Sequence, residues 1–160
     1  MPDMIDVNAI LIQFQEALLE NKIELFPSEK YPNLYMMLDD ADGNSRMTYA
    51  FIEKDLKVKA IAIYLHMEPI GYTTCVGVSY AVAEDFRNQG IAKLILEQSI
   101  SDLTDKMPEY INEIYIEAIV GISNIPSQKV AEKVLSSTPK KTVDAFSNQD
   151  AYQYVRLVKK

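Results

Sequence analysis

A chain of 160 residues with 48% hydrophobic and 24% charged content is sized for one domain with a core of its own. Its formal net charge of -7 offers no basic face to nucleic acid or to an anionic membrane surface. No apolar run approaches the roughly 18 residues of a bilayer crossing, and one cysteine (Cys75) with one histidine (His66) cannot build a disulfide or a Cys/His metal cluster by themselves.

The start, "MPDMIDVNAILIQF", is acidic and lacks the basic n-region of a secretory signal, so the expectation is a cytoplasmic protein. Val7, Ile10, Leu11, Phe14 and Leu18 fall on one helical face behind Asp6, a fitting N-cap. "FPSEKYPN" then breaks the pattern with two prolines. Four β-rich stretches follow: "NLYMMLDD", "SRMTYAFIEKD", "KVKAIAIYLHME" and "TTCVGVSYAV". Asp42-Gly43 marks the first hairpin, "EKDLK" the second and "EPIGY" the third, which makes an antiparallel meander.

After "FRNQGIA" comes a strong helix. Ala92, Leu96, Ser99, Ile100, Leu103 and Met107 share a face that Ile91, Leu94 and Ile95 widen. "EIYIEAIV" reads as a buried strand and "PSQKVAEKVL" as a short helix with Pro126 in its first turn, where a missing N–H costs nothing. "KTVDAFS" and "AYQYVRLVK" close the chain as two strands around an "NQD" turn. A block of strands, then a strand–helix–strand crossover that should be parallel and right-handed, then a hairpin, predicts an α+β fold. No linker, repeat or low-complexity segment divides 1–160, so one domain is expected.

This order and one motif resemble the GNAT superfamily, the acyl-CoA-dependent N-acetyltransferases. The family signature is Arg/Gln-x-x-Gly-x-Gly/Ala between the fourth strand and the long helix. Here it is Arg87-Asn88-Gln89-Gly90-Ile91-Ala92, preceded by Tyr80-Ala81-Val82 where the family usually reads Leu-x-Val. The resemblance covers essentially the whole chain in element order. It implies a central mixed, mostly antiparallel twisted sheet of about seven strands flanked by helices. "CVGVSYAV" and "IYIEAIV" would be its parallel, splayed pair, with the pantetheine arm of acetyl-CoA in the gap.

Physics explains why such a turn suits coenzyme A. The first turn of a helix leaves about four N–H groups unpartnered and carries about half a positive charge, which a pyrophosphate satisfies. Gly90 lets the backbone approach the phosphates, and the small Ala92 lets the helix start lie against the sheet. A plain strand-to-helix turn would explain the glycine but leave the missing N-cap unexplained. By the same resemblance the Val82 N–H would meet the thioester carbonyl. The second family motif, Asn-x-x-Ala/Ser-x-x-x-Tyr-x-x-x-Gly-Phe, matches at Asn124 and Ser127. It departs at Ala131, where the family has the tyrosine that protonates the leaving thiolate, and at Leu135-Ser136 in place of Gly-Phe. Water, Ser127 or another tyrosine would then have to supply the proton.

An amine must be neutral to attack, so a base is needed near the thioester. Glu117, inside an apolar strand, is the first choice; an ion-paired position near an edge is its structural alternative. His66 shares a strand face with Glu68 and titrates in the useful range, though packing or exposure explains a lone histidine as well. Tyr72, Tyr80 and Tyr115 could each position substrate or replace the missing acid, or simply pack. Cys75 reads as a small hydrophobe. Surface carboxylates in "LDDAD" and "SNQD" would attract a cationic amine, or be an ordinary solvated face. The leading function is transfer of acetyl from acetyl-CoA to a primary amine of a small molecule or peptide, with no metal implied. The alternative is a GNAT-fold module that holds acyl-CoA or a partner protein without efficient transfer. Dimers are common in the family, which leaves a homodimer open, but no dimer face is legible in these residues.

Overall fold

A computed structural model describes residues 6–160. Helix α1 (Val7–Leu19) opens at Asp6, whose carboxylate accepts from the Ala9 N–H at 3.3 Å. Leu11 and Phe14 are buried, and Val7, Ile10 and Leu18 flank them, as the spacing predicts. The chain then adds a two-residue strand, β1 (Phe26–Pro27), to the sheet edge by pairing with Tyr35 and Met36.

Strands β2 (Leu34–Ala41), β3 (Asn44–Ile52), β4 (Val58–Ile70) and β5 (Thr73–Val82) form the expected meander. Asp42 and Gly43 both take positive φ (50° and 84°), the pairing a tight two-residue hairpin demands. The third hairpin corrects the sequence reading. "EPI" stays in β4, where the register shifts between Met67 and Ile70 around Pro69, and the turn falls at Gly71 and Tyr72. A proline needs no ladder donor inside such an irregularity.

Helix α2 (Ile91–Asp105), strand β6 (Glu113–Gly121) and helix α3 (Ile125–Val134) follow, and β7 (Lys140–Val143) and β8 (Asp150–Lys159) end the chain. β7 is shorter than "KTVDAFS" suggested. Asp144 instead takes the Ser147 N–H on its carboxylate at 2.7 Å and folds that stretch into a turn. Among the described residues the strands make one sheet in the order β1-β2-β3-β4-β5-β6-β8-β7, eight strands against the expected seven or so. Of these strands, β5 and β6 run parallel and every other neighbouring pair is antiparallel.

Each face of the sheet carries a core. α1 covers Ala50, Ile52, Ile61, Ile63 and Ala81 on one side. α2 and α3 cover Tyr49, Ala62, Tyr64, Val78, Ile116 and Tyr154 on the other. Leu94 was expected to widen the buried face of α2 but is 45% exposed. The wider face comes from Asp102 instead, which is 4% exposed among apolar neighbours. Its carboxylate accepts from Tyr49 Oη at 2.7 Å and Ser28 Oγ at 2.8 Å, and pairs with Lys106 one turn on. Next to it Tyr64 Oη and Ser99 Oγ hydrogen-bond at 2.7 Å. No helix among the described residues is long and apolar enough to cross a membrane.

Candidate active site

The turn between β5 and α2 starts with one turn of 3-10 helix (Glu84–Phe86). Asn88 and Gly90 then both take left-handed conformations, φ 62° and 76°. Gly90 sits at the N-cap of α2 and no side chain caps the helix. The first helical hydrogen bond is Leu94 N–H to Gly90 O at 3.2 Å, so the N–H groups of Ile91, Ala92 and Lys93 precede the helical ladder. A Cβ built on Gly90 would meet nothing within 4 Å, so the approach to these amides is open. The turn thus presents backbone donors and a helix dipole to whatever sits before it, which fits a pyrophosphate.

Arg87 behaves otherwise. Its Nε donates to the Val82 carbonyl at 3.1 Å and its Nη2 to Asn8 Oδ1 on α1 at 3.2 Å. The guanidinium therefore ties the turn to β5 and α1 rather than reaching past the start of α2.

β5 and β6 pair only from Cys75 to Gly77 and from Tyr115 to Glu117. Beyond that β5 continues to Val82 and β6 to Gly121 with no ladder between them. The gap predicted for "CVGVSYAV" and "IYIEAIV" is present. The Ala83 N–H donates to Lys59 O on the β4 side at 2.8 Å. Antiparallel strands alternate the residues that bond a given neighbour, so Val82 and Tyr80 turn their N–H and C=O groups away from β4 and into the gap. The Val82 carbonyl, taken by Arg87, agrees with that direction.

α3 straddles this gap. From β5, Tyr80 Oη donates to the Ser127 carbonyl at 2.6 Å. From α3, Gln128 Nε2 donates to the carbonyls of Gly121 and Ile122 at the end of β6, each at 2.9 Å. Asn124 is exposed and caps α3, its Oδ1 accepting from the Ser127 N–H at 3.3 Å. Ala131, where a tyrosine was expected, is fully buried. Burial chiefly, with nearby Tyr154, raises the Tyr80 phenol above its ordinary value, against a lowering contribution from the Ala131 N–H.

Glu117 sits at the last paired position, opposite Gly77, where the strands part. Its neighbours Ile116 and Ala118 face α2 and α3, so by strand alternation its carboxylate points to the other face. There Oε2 accepts from Gln153 Nε2 on β8 at 2.7 Å, a neutral partner rather than an ion pair. Met67 lies over Gly77 so closely that a Cβ there would stand 3.0 Å from its Cγ. Burial, with the Glu117 charge second, pushes the Cys75 thiol up to about 11, consistent with an inert small side chain. His66 and Glu68 are exposed toward the β4–β5 hairpin, and His66 lies on the face opposite Glu117. The structure does not bring His66 and Glu117 together. Tyr72 is fully exposed on that hairpin, and Tyr115 is partly buried two residues before Glu117. Among the described residues no group of three or more His, Cys, Asp or Glu is placed to hold a metal ion.

The sequence pattern of the acetyltransferase (GNAT) family matches residues 11–136. The chain belongs to the GNAT acetyltransferase family. No curated protein matches it. Among solved structures, this GNAT chain is similar to RimL, a ribosomal L7/L12 alpha-N-protein acetyltransferase in complex with coenzyme A. That likeness has 16% identity and a TM-score of 0.55, and covers 84% of this chain and 98% of that one. It is also similar to NAA60 of Arabidopsis thaliana in complex with a bisubstrate analogue, at 14% identity, 94% and 95% coverage and TM-score 0.52. A third is a chimera of the spermidine N-acetyltransferase SpeG from Vibrio cholerae and hSSAT, at 12% identity, 70% and 69% coverage and TM-score 0.53. At these identities the likeness is one of fold. The family makes the protein an N-acetyltransferase that uses acetyl-CoA.

Sequence reading missed the residues that hold the GNAT gap in shape, Gln128 and Gln153. Nothing marks a glutamine as a bridge until its carbonyl or carboxylate partner, six or more residues away, is in place.

Proposed function

We propose that the protein transfers acetyl from acetyl-CoA to a primary amine of a small molecule or peptide by direct attack, with residues 1–160 acting as one domain in the cytoplasm. The observation that carries this is the uncapped start of α2 beside a gap into which Tyr80 and Val82 turn their amides. Asn88, Gln89, Gly90, Ile91 and Ala92 would hold the pyrophosphate through their backbone, with Arg87 keeping the turn in place. Asn124, the N-cap of α3, would add a contact to the coenzyme from that side. Val82 N–H would stabilise the oxygen of the tetrahedral intermediate.

Glu117 would take the proton from the incoming amine, on the face opposite α2 and α3. Gln153 keeps that carboxylate oriented at the point where the strands separate. His66 and the Ser127 hydroxyl have less support: one is remote from the gap, and Ser127 joins the described contacts through its backbone.

The first experiment is thermal unfolding with and without acetyl-CoA, paired with thiol release over a panel of amines. Coenzyme at about 100 times its dissociation constant should stabilise the fold by roughly 2.7 kcal/mol, a rise of several degrees. A folded protein with no rise would remove the coenzyme site. Glu117→Gln keeps the contact with Gln153 available and should lower kcat near neutral pH by about 10²-fold or more. Its defect should shrink as the pH climbs toward the amine's own pKa, because the substrate then arrives neutral. An unchanged kcat at neutral pH would take the base role away from Glu117.

A further inference from the structure

We propose that Tyr80 donates the hydrogen bond that receives the departing thiolate, so that the phenol of this site comes from strand β5 rather than from helix α3. This rests on the N-acetyltransferase reading above. Three observations carry it. The Tyr80 backbone faces the gap, so a thioester held there lies beside this residue. Its side chain leaves β5 on the α2/α3 face and spans the gap to reach α3, where Oη lies 2.6 Å from the Ser127 carbonyl. Ala131, one turn along α3, has no exposed surface and only a methyl group, so the helix leaves room there for a ring that comes from elsewhere.

The Ser127 carbonyl gives the hydroxyl a partner while the gap is empty, which avoids the cost of a buried unsatisfied donor. A hydroxyl proton rotates about its C–O bond, so the same group can turn from that carbonyl to a sulfur without moving the ring. Burial keeps the phenol protonated across the working range, which makes it a donor of a hydrogen bond rather than of its proton. The balance of the step follows. The amine nitrogen bonds to the acyl carbon, the C–S bond breaks with its electron pair on sulfur, and Glu117 takes the proton the nitrogen sheds. Coenzyme leaves as a thiolate steadied by Tyr80 and picks up its proton from water.

Tyr80→Phe keeps the ring and removes only the hydroxyl. The loss of one hydrogen bond to a developing charge should lower kcat about 10- to 100-fold, with the dissociation constant of acetyl-CoA unchanged. The second readout needs no turnover. Free coenzyme A is bound, and the ionisation of its thiol is followed by the ultraviolet absorbance of the thiolate. The bound thiol should titrate about one pH unit higher in Tyr80→Phe than in the wild type, since the variant no longer favours the charged form. Both quantities must move together. A fall in kcat with no change in the thiol titration would make Tyr80 a brace for α3 and overturn the proposal, as would a change in the titration alone or in neither. A wild type that binds coenzyme A but releases no thiol with any amine would instead sink the acetyltransferase reading, while the titration still reports on Tyr80.

Discussion

Gly90→Asp is expected to weaken acetyl-CoA binding by up to about 10³-fold while the protein stays folded, the largest functional effect expected of a single substitution here. Gly90 holds φ at 76°, where an ordinary side chain costs roughly 1–2 kcal/mol and aspartate less, because Asn and Asp visit this region with local hydrogen bonds. No atom lies within 4 Å of an added Cβ, so no clash adds to that strain and the melting temperature should fall only by a few degrees. The carboxylate, however, would stand where the proposed pyrophosphate site lies. Two like charges about 4 Å apart repel by roughly 1 kcal/mol in water and about 4 kcal/mol at an effective dielectric of 20, which is about 5-fold to about 10³-fold in affinity, the upper end applying where the bound phosphate excludes water. Gly90→Asn separates the causes, since it carries similar bulk and no charge and should lose much less. Calorimetric titration of the three proteins decides it. Normal binding by the aspartate variant would mean that the phosphates sit elsewhere.

The largest effect on stability is expected at Asp102. Burial alone would raise its carboxyl, but Lys106, Ser28 and Tyr49 outweigh that and hold it below the ordinary aspartate value. Asp102→Ala leaves the buried Tyr49 hydroxyl without its acceptor and strands the Ser28 hydroxyl, while Lys106, partly exposed, can turn to water. A loss of roughly 2–3 kcal/mol follows, or about 5–10 °C in a domain of this size. Asp105→Ala removes the exposed, water-screened ion pair with Lys30 and should cost much less. The sign with pH follows from the lowered carboxyl. Its contribution is whole above the unfolded aspartate value, about 3.9, and is lost as pH falls through the lower folded value. The gap between wild type and Asp102→Ala in urea unfolding should therefore narrow only in strong acid. A cost no greater than that of Asp105→Ala would refute the assignment.

The elements that the chain spells out locally were legible. The 3.6-residue spacing of α1, the Asp42-Gly43 turn and the uncapped helix start behind Gly90 each follow from neighbours in sequence. β1 was not legible, because two residues with a proline make a strand only by pairing with Tyr35 and Met36. Asp102 is not legible either, because an acid on an apolar face is a fault until Ser28 and Tyr49, 74 and 53 residues away, come into view. The same holds at the site. The glycine motif carries its chemistry in six consecutive residues, whereas Tyr80 and Ser127 are 47 apart and meet only once α3 has crossed the gap.

Helix α2 is held very unequally at its two ends. Its last turns are fastened by Asp102 to β3 and to Ser28, and by Ser101 to Tyr31 and Lys30. Its first turn has no side-chain cap. Over 15 residues, roughly 22 Å, protection of the amides against exchange should fall from tail to head, the head fraying at little more than the cost of a loop opening. Coenzyme would complete the helix rather than merely rest against it. Its arrival would register as slowed exchange at Ile91, Ala92 and Lys93, with Leu103 as quiet as before.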